Sequence, residues 1–217
     1  MSRELELRQA IVAVCRRLDE RGLVAGIDGN VSARLDQATL LVTPSGVSKG
    51  RIDADQIVAI GVDGAPRAGE HERPSSELRM HLAIYRMRRD VHAVVHAHPP
   101  TATGFAVAGE GLVAPVLPEI ILLAGSVPLV PYATPGTEAL AEQLHPYLPH
   151  HDAFLLANHG ATTVGSTLDT ALHRMESLEH AARIILTARL LGNVTELTAE
   201  QAAVLRAQRD AARDPSS

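Results

Sequence analysis

The residues best suited to chemistry in this 217-residue chain are two histidines in Val94-Val95-His96-Ala97-His98. On a strand, positions i and i+2 point to one face, so His96 and His98 project together. Two imidazoles on an otherwise apolar strand face cost desolvation unless something binds them. A divalent metal answers that cost, and nitrogen ligands suit zinc, with Mn2+ or Co2+ as other transition-metal candidates. A third ligand is expected from elsewhere in the fold. His159 qualifies, because it follows the apolar run Phe154 to Ala157 and precedes Gly160, in a loop at a strand end. His92, four residues before His96, is read as a solvated residue at the strand start. His81, His173 and His180 fall in helical stretches and are read as surface or half-buried. His71, His145, His150 and His151 lie in turns or beside a helix end. Three histidine ligands leave a coordination position open, as catalytic rather than structural sites do.

Such a site needs a proton carrier. Glu77 is the candidate, in Pro74-Ser75-Ser76-Glu77 at the start of a helix. The local alternative is an N-cap: Ser75 or Ser76 closes the helix end, and a glutamate in the first turn suits its dipole. Three clusters of small polar residues, Gly29-Asn30, Thr43-Pro44-Ser45-Gly46 and Ser75-Ser76, can present N–H groups and hydroxyls to an anion. No Gly-x-x-x-x-Gly-Lys or Gly-x-Gly-x-x-Gly follows a strand, so the sequence does not support nucleotide binding. Lysine occurs once, at Lys49, against nineteen arginines. A Schiff-base mechanism would have to use it. Its setting, Ser45-Gly46-Val47-Ser48-Lys49-Gly50, reads as a polar loop where a desolvated amine is not expected.

The elements that must position these groups follow from periodicity. Residues 4 to 21 place Leu5, Ala10, Ile11, Val14 and Leu18 on one helical face, stopped by Gly22. Short strands are expected at 31–35, 39–43 and 57–62, the last closed by Asp63-Gly64. A helix then runs to about Arg89, followed by a strand at 91–97 ended by Pro99-Pro100. A short helix at 101–108 leads into an apolar stretch to Leu123. Strands at 127–130 and 152–157 flank a helix over 136–148. Helices over 168–191 and 199–213 complete the chain. Most connections are too short for parallel crossovers, so one α/β domain with a mixed or antiparallel sheet is expected over residues 1–217.

Composition narrows the class. Hydrophobic residues make up 46% of the chain with only three Tyr, two Phe and no Trp, so the core must be Ala, Val, Leu and Ile. A net charge of −5 argues against a nucleic-acid partner. No apolar run reaches the roughly 18 residues that span a bilayer. One cysteine, Cys15, excludes an internal disulfide and a Cys-rich zinc module. A cytoplasmic protein is the expectation.

Six blocks in one order, Gly29-Asn30-Val31-Ser32, Thr43-Pro44-Ser45-Gly46, Pro74-Ser75-Ser76-Glu77, His96-Ala97-His98, Pro131-Tyr132-Ala133-Thr134-Pro135-Gly136-Thr137 and Asn158-His159-Gly160, resemble the class II aldolase/adducin family over about residues 5 to 195. The resemblance implies a three-layer α/β/α fold around a largely antiparallel sheet. It implies a homotetramer with sites between neighbouring subunits. It implies zinc on His96, His98 and His159, a phosphate cradle at Asn30, Ser45, Gly46, Ser75 and Ser76, and Glu77 as proton carrier. The activity it implies first is metal-dependent cleavage of a ketose 1-phosphate, of the L-fuculose or 5-deoxy-pentulose type, into dihydroxyacetone phosphate and a small aldehyde. Two other enzymes fit the same site, a 4-epimerase and a decarboxylase of a 3-oxo acid phosphate; a non-catalytic adducin-like binding domain is the remaining alternative. Epimerases of the family usually carry Asp where Glu77 stands. Two departures stand out: Ile27 replaces a threonine of the first phosphate loop, and no tyrosine follows Tyr147, where the aldolases use tyrosines from the adjacent subunit.

Overall fold

A computed structural model describes residues 2–213; the ends of the expected 1–217 domain, Met1 and residues 214–217, lie outside the described residues. Seven strands form one sheet: β1 (Asn30–Arg34), β2 (Thr39–Val42), β3 (Val58–Gly61), β4 (Ala93–Ala97), β5 (Leu129–Val130), β6 (Ala153–Leu156) and β7 (Gly160–Gly165). Their order is β3-β2-β1-β4-β7-β6-β5. Every neighbouring pair is antiparallel except β5 with β6. The helices are α1 (Arg3–Glu20), α2 (Leu78–Met87), α3 (Pro100–Val107), α4 (Pro118–Leu123), α5 (Glu138–Leu144), α6 (Leu168–Leu190) and α7 (Ala199–Arg213). No helix among the described residues is long and apolar enough to cross a membrane.

Alternation along the strands builds the three layers. Val31 and Ala33 of β1, with Ala93, Val95 and Ala97 of β4, join α1, α3 and α6 in one apolar cluster. Val94 of β4 and Val164 of β7 face the other way, where Met80, Ile84, Leu140 and Leu144 of α2 and α5 cover them. The buried apolar side chains are mostly aliphatic, with Tyr85, Phe105 and Phe154 the aromatic exceptions, as the composition requires.

The departures from the sequence reading have physical causes. β7 was not anticipated. Its sequence, Gly-Ala-Thr-Thr-Val-Gly, is buried on both faces and lacks the hydrophobic alternation of a half-exposed strand. The apolar stretch before Leu123 contains α4, opened by Pro118 at its first turn. The strand expected at 127–130 shrinks to Leu129–Val130, because Val127 instead bridges Leu112. On α1 the buried face is Ile11, Val12, Val14, Cys15 and Leu18, leaving Leu5 40% exposed. The first turn of α2 starts at Leu78, one residue later than a serine N-cap requires. Glu77 takes the cap position without a capping bond from its side chain.

Candidate active site

Strand register assembles the site. Asn30 of β1 stands opposite His96 of β4, and His96 stands opposite Thr162 of β7. His98 lies one residue beyond the end of β4. His159 occupies the tight turn Ala157-Asn158-His159 between β6 and β7. Asn158 takes φ 55°, a left-handed conformation that asparagine tolerates better than most residues. At Gly160 a Cβ atom would lie 2.5 Å from His98 Cδ2 and 2.7 Å from Ala97 O. Only glycine lets the turn close on the histidine pair.

The three rings converge, with centroids 4.7 to 5.1 Å apart. One nitrogen from each falls within 4.8 Å of the others. His96 Nε2 and His98 Nε2 are 3.1 Å apart. Glu77 completes the group: its Oε2 lies 3.1 Å from His96 Nε2 and its Oε1 3.2 Å from His159 Nε2. Glu77 Oε1 is buried yet accepts no well-formed hydrogen bond. Burial holds the His98 and His159 imidazoles below their ordinary pKa, His159 at about 4, so both keep a lone pair at neutral pH. Burial pushes the Glu77 carboxyl up, but His96, His159 and the Asn30 amide together outweigh it and hold the group a carboxylate. Three converging imidazole nitrogens beside an under-bonded carboxylate are the donor set a divalent metal takes.

The outer nitrogens of His96 and His98 are anchored, whereas His159 Nδ1 is buried without a hydrogen-bond partner. His96 Nδ1 bonds Thr162 Oγ1 at 3.1 Å, and His98 Nδ1 lies 3.3 Å from Asp28 Oδ2. Such partners fix tautomer and ring orientation. Neither Asp28 nor Thr162 was anticipated. Register with His96 marks Thr162 once β7 is known, whereas Asp28 carries no periodic signal.

The five residues of the expected anion cradle also meet. Asn30, Ser45, Gly46, Ser75 and Ser76 line one cavity of about 180 Å³ together with Glu77 and His98. The two loops are knitted by Ser45 N donating to Arg73 O and Ser75 N donating to Thr43 O. Ser75 Oγ accepts from Glu77 N at 3.2 Å. Gly136 of the Pro131–Thr137 block packs so tightly that a Cβ would sit 2.8 Å from Ser76 O. A larger cavity, about 590 Å³, opens beside Arg34 and Tyr85 at the other end of β1, away from the histidines. Donor chemistry, not volume, locates the site.

Two readings are corrected here. His81 is neither surface nor half-buried but fully buried, and burial drops its pKa to about 3. Its bonds have a fixed direction. The Glu77 carboxylate can only accept, so Asn30 Nδ2 donates to its Oε2 at 2.7 Å. Asn30 Oδ1 therefore accepts from His81 Nε2. The neutral ring then accepts at Nδ1 from Ser32 Oγ at 2.6 Å, and Ser32 accepts from Tyr85 at 2.9 Å. Lys49, read as a loop residue, is 1% exposed in a 3₁₀ turn (Lys49–Arg51), and burial holds its amine below the ordinary lysine pKa. His92 is exposed, as read.

Comparison with known proteins bears on this arrangement. Residues 9–186 match the family described as Class II Aldolase and Adducin N-terminal domain. The chain belongs to that family. It is 36% identical over 210 residues to the 3-oxo-tetronate 4-phosphate decarboxylase of Escherichia coli O6:H1, covering 94% of this chain and 96% of the relative. It is 35% identical over 176 residues to the L-fuculose phosphate aldolase of Haemophilus influenzae, covering 80% of this chain and 79% of that one. A solved structure of an L-fuculose 1-phosphate aldolase superposes with a TM-score of 0.88 at 30% identity, covering 94% and 96% of the two chains.

Proposed function

We propose that this protein is a metal-dependent decarboxylase of a 3-oxo sugar-acid phosphate of the 3-oxo-tetronate 4-phosphate type, rather than the ketose 1-phosphate aldolase the motifs first imply. The observation that carries this reading is sequence identity over the full length: 36% to a 3-oxo-tetronate 4-phosphate decarboxylase over 94% of this chain, against 30% to a solved L-fuculose 1-phosphate aldolase over the same share and 35% to another over 80%. The absence of tyrosine after Tyr147 supports it chemically. Aldol cleavage must remove a hydroxyl proton as the carbon–carbon bond breaks. A leaving carboxylate carries no proton, so decarboxylation needs one base fewer.

His96, His98 and His159 would hold the metal, for which the nitrogen donors favour zinc. When bound, it supplies a Lewis acid that draws charge from the 3-oxo oxygen. Asn30, Ser45, Gly46, Ser75 and Ser76 seat the phosphate and so fix which carbon faces Glu77. The C1–C2 bond of the substrate breaks, CO2 leaves, and the electron pair left behind forms a C2–C3 double bond with charge on the C3 oxygen. Glu77 then relays a proton from solvent to C2, and the product is dihydroxyacetone phosphate. Proton transfer by a positioned side chain contributes about 10²–10⁴-fold. Asp28 and Thr162 hold the His98 and His96 rings, and Asn30 holds Glu77. On this proposal the chain is one catalytic domain working in the cytoplasm, in a tetramer with the site near a subunit boundary.

Product analysis tests it. Zinc-loaded protein given 3-oxo-tetronate 4-phosphate is expected to release CO2 and dihydroxyacetone phosphate in equal amounts, and to leave L-fuculose 1-phosphate uncleaved. Aldehyde release from the ketose phosphate without CO2 from the oxo acid would restore the aldolase reading.

A further inference from the structure

The anion cavity is lined by neutral donors, Asn30, Ser45, Gly46, Ser75 and Ser76, by Asp28, Glu77 and His98 of the histidine cluster and its partners, and by one exception to both groups. That exception is Lys49, the only lysine in the chain. Its Nζ donates to Ile27 O at 3.0 Å and to Val47 O at 2.6 Å, so it ties together the two loops that border the cavity. Two carbonyl acceptors and no donor face this nitrogen, which is the environment of an ammonium and not of a neutral amine. An ammonium has three hydrogens, and the third has no acceptor among the described residues.

A buried cation is normally paired with a carboxylate. Lys49 is 1% exposed and forms no ion pair within 4 Å among the described residues. Asp28, the carboxylate whose charge it feels, makes its close contact with His98 instead. Cys15, the other ionisable neighbour, offers no counter-charge, because burial raises its thiol pKa to about 12. Beside Gly46 of the cavity wall there is free space, since a Cβ there would meet nothing within 4 Å.

We propose that Lys49 is the fixed positive charge of the cradle, and that a dianionic phosphate entering beside Ser45 and Ser75 is its missing counter-ion. The neutral donors orient the phosphate, and Lys49 makes the pocket select a dianion over an uncharged or singly charged group. This inference rests on the phosphorylated substrate of the preceding reading.

Because there is one lysine, protein grown with 13Cε-labelled lysine gives a single side-chain signal, read here in the metal-loaded wild type. Inorganic phosphate is titrated in, with calorimetry on the same sample. The signal is expected to move saturably with the dissociation constant that calorimetry gives. Lys49→Met is expected to bind phosphate at least tenfold more weakly, with unchanged metal content. Phosphate binding that leaves the lysine signal in place, or a Lys49→Met protein that binds phosphate as wild type does, overturns the role of Lys49 and leaves the substrate class standing. Failure of the wild type to bind phosphate overturns both. If Lys49→Met does not fold, the wild-type signal alone decides.

Discussion

His81 is the single titratable imidazole in the bonded series from Tyr85 to Glu77, and His81→Gln isolates its contribution. A glutamine amide can still donate to Asn30 and accept from Ser32, but it does not titrate. In the folded protein burial lowers the His81 pKa from 6.5 to about 3. The unfolded chain therefore binds a proton near pH 6.5 that the folded chain refuses until about pH 3. Between those values the unfolded state holds more protons, so stability falls as pH drops through the window and is flat above it. At about 1.4 kcal/mol per pH unit the whole window amounts to about 5 kcal/mol, of which about 2 kcal/mol is lost between pH 7 and pH 5. His98 and His159 shift in the same direction, so the wild type loses more than this one share. The difference between wild type and variant removes their part.

The assay is urea unfolding of metal-free protein at pH 7 and pH 5, at one protein concentration so that any assembly term is constant. His81→Gln is expected to be less stable at pH 7, by about 1–3 kcal/mol if one bond of the series is lost. Its loss on going to pH 5 is expected to be about 2 kcal/mol smaller than that of the wild type. Parallel pH dependences in the two proteins would refute the buried neutral imidazole and, with it, the bond directions assigned from Tyr85 to Glu77.

Glu77→Gln keeps the size and polarity of the side chain but cannot exchange a proton; turnover is expected to fall by about 10²-fold or more with metal retained, measured by initial rates and elemental analysis. His96→Ala is expected to lose metal and activity together, while His71→Ala and His145→Ala, both at exposed positions, keep both; full metal in the His96 variant would refute the ligand assignment. Chelator is expected to stop turnover and added zinc to restore it, with no borohydride-trapped adduct at Lys49; a trapped adduct in chelator-treated, active protein would return the mechanism to imine chemistry. Cys15, fully buried with its pKa raised to about 12, is expected to stay unreactive toward a thiol reagent until the chain unfolds, which absorbance at increasing urea reads directly.

The legible part of the sequence is the part governed by short periods. His96 and His98 two apart on a strand, Asn30 and the serines in turns, and a histidine at a strand end each follow from one segment's geometry, and the structure brings all of them together. What escaped depends on pairing between distant segments. His81 sits at a helical position that looks ordinary until β1 delivers Ser32 and Asn30 to its two nitrogens. Lys49 lies among Ser and Gly, and its burial arises only because the loop carrying Ile27 folds over it. β7 is doubly covered and reads as a small-residue linker for that reason. Glycine at 29 shows the same limit from the other side: it looks like a simple turn residue, but its φ of +72° and a Cβ 2.7 Å from Val24 Cγ1 and 2.9 Å from His96 O make it a close-packing position.

Asn30 is where these separate requirements meet. Strand register sets it beside His96, the cavity wall includes its side chain, and its amide is bonded to Glu77 on one side and His81 on the other. Its Nδ2 carries two hydrogens and spends one on Glu77, which leaves a second to donate. In the proposed reaction the residue that helps seat the phosphate is therefore the residue that aims the proton carrier. Asn30 itself is held by a neutral imidazole whose tautomer is set by the Glu77 carboxylate, which only accepts, while the Ser32 and Tyr85 hydroxyls adjust to its other nitrogen. A phosphate placed correctly and a carboxylate placed correctly are then one condition, not two. Chemistry that begins with loss of CO2 in one case and of an aldehyde in the other needs that same condition at the protonated carbon.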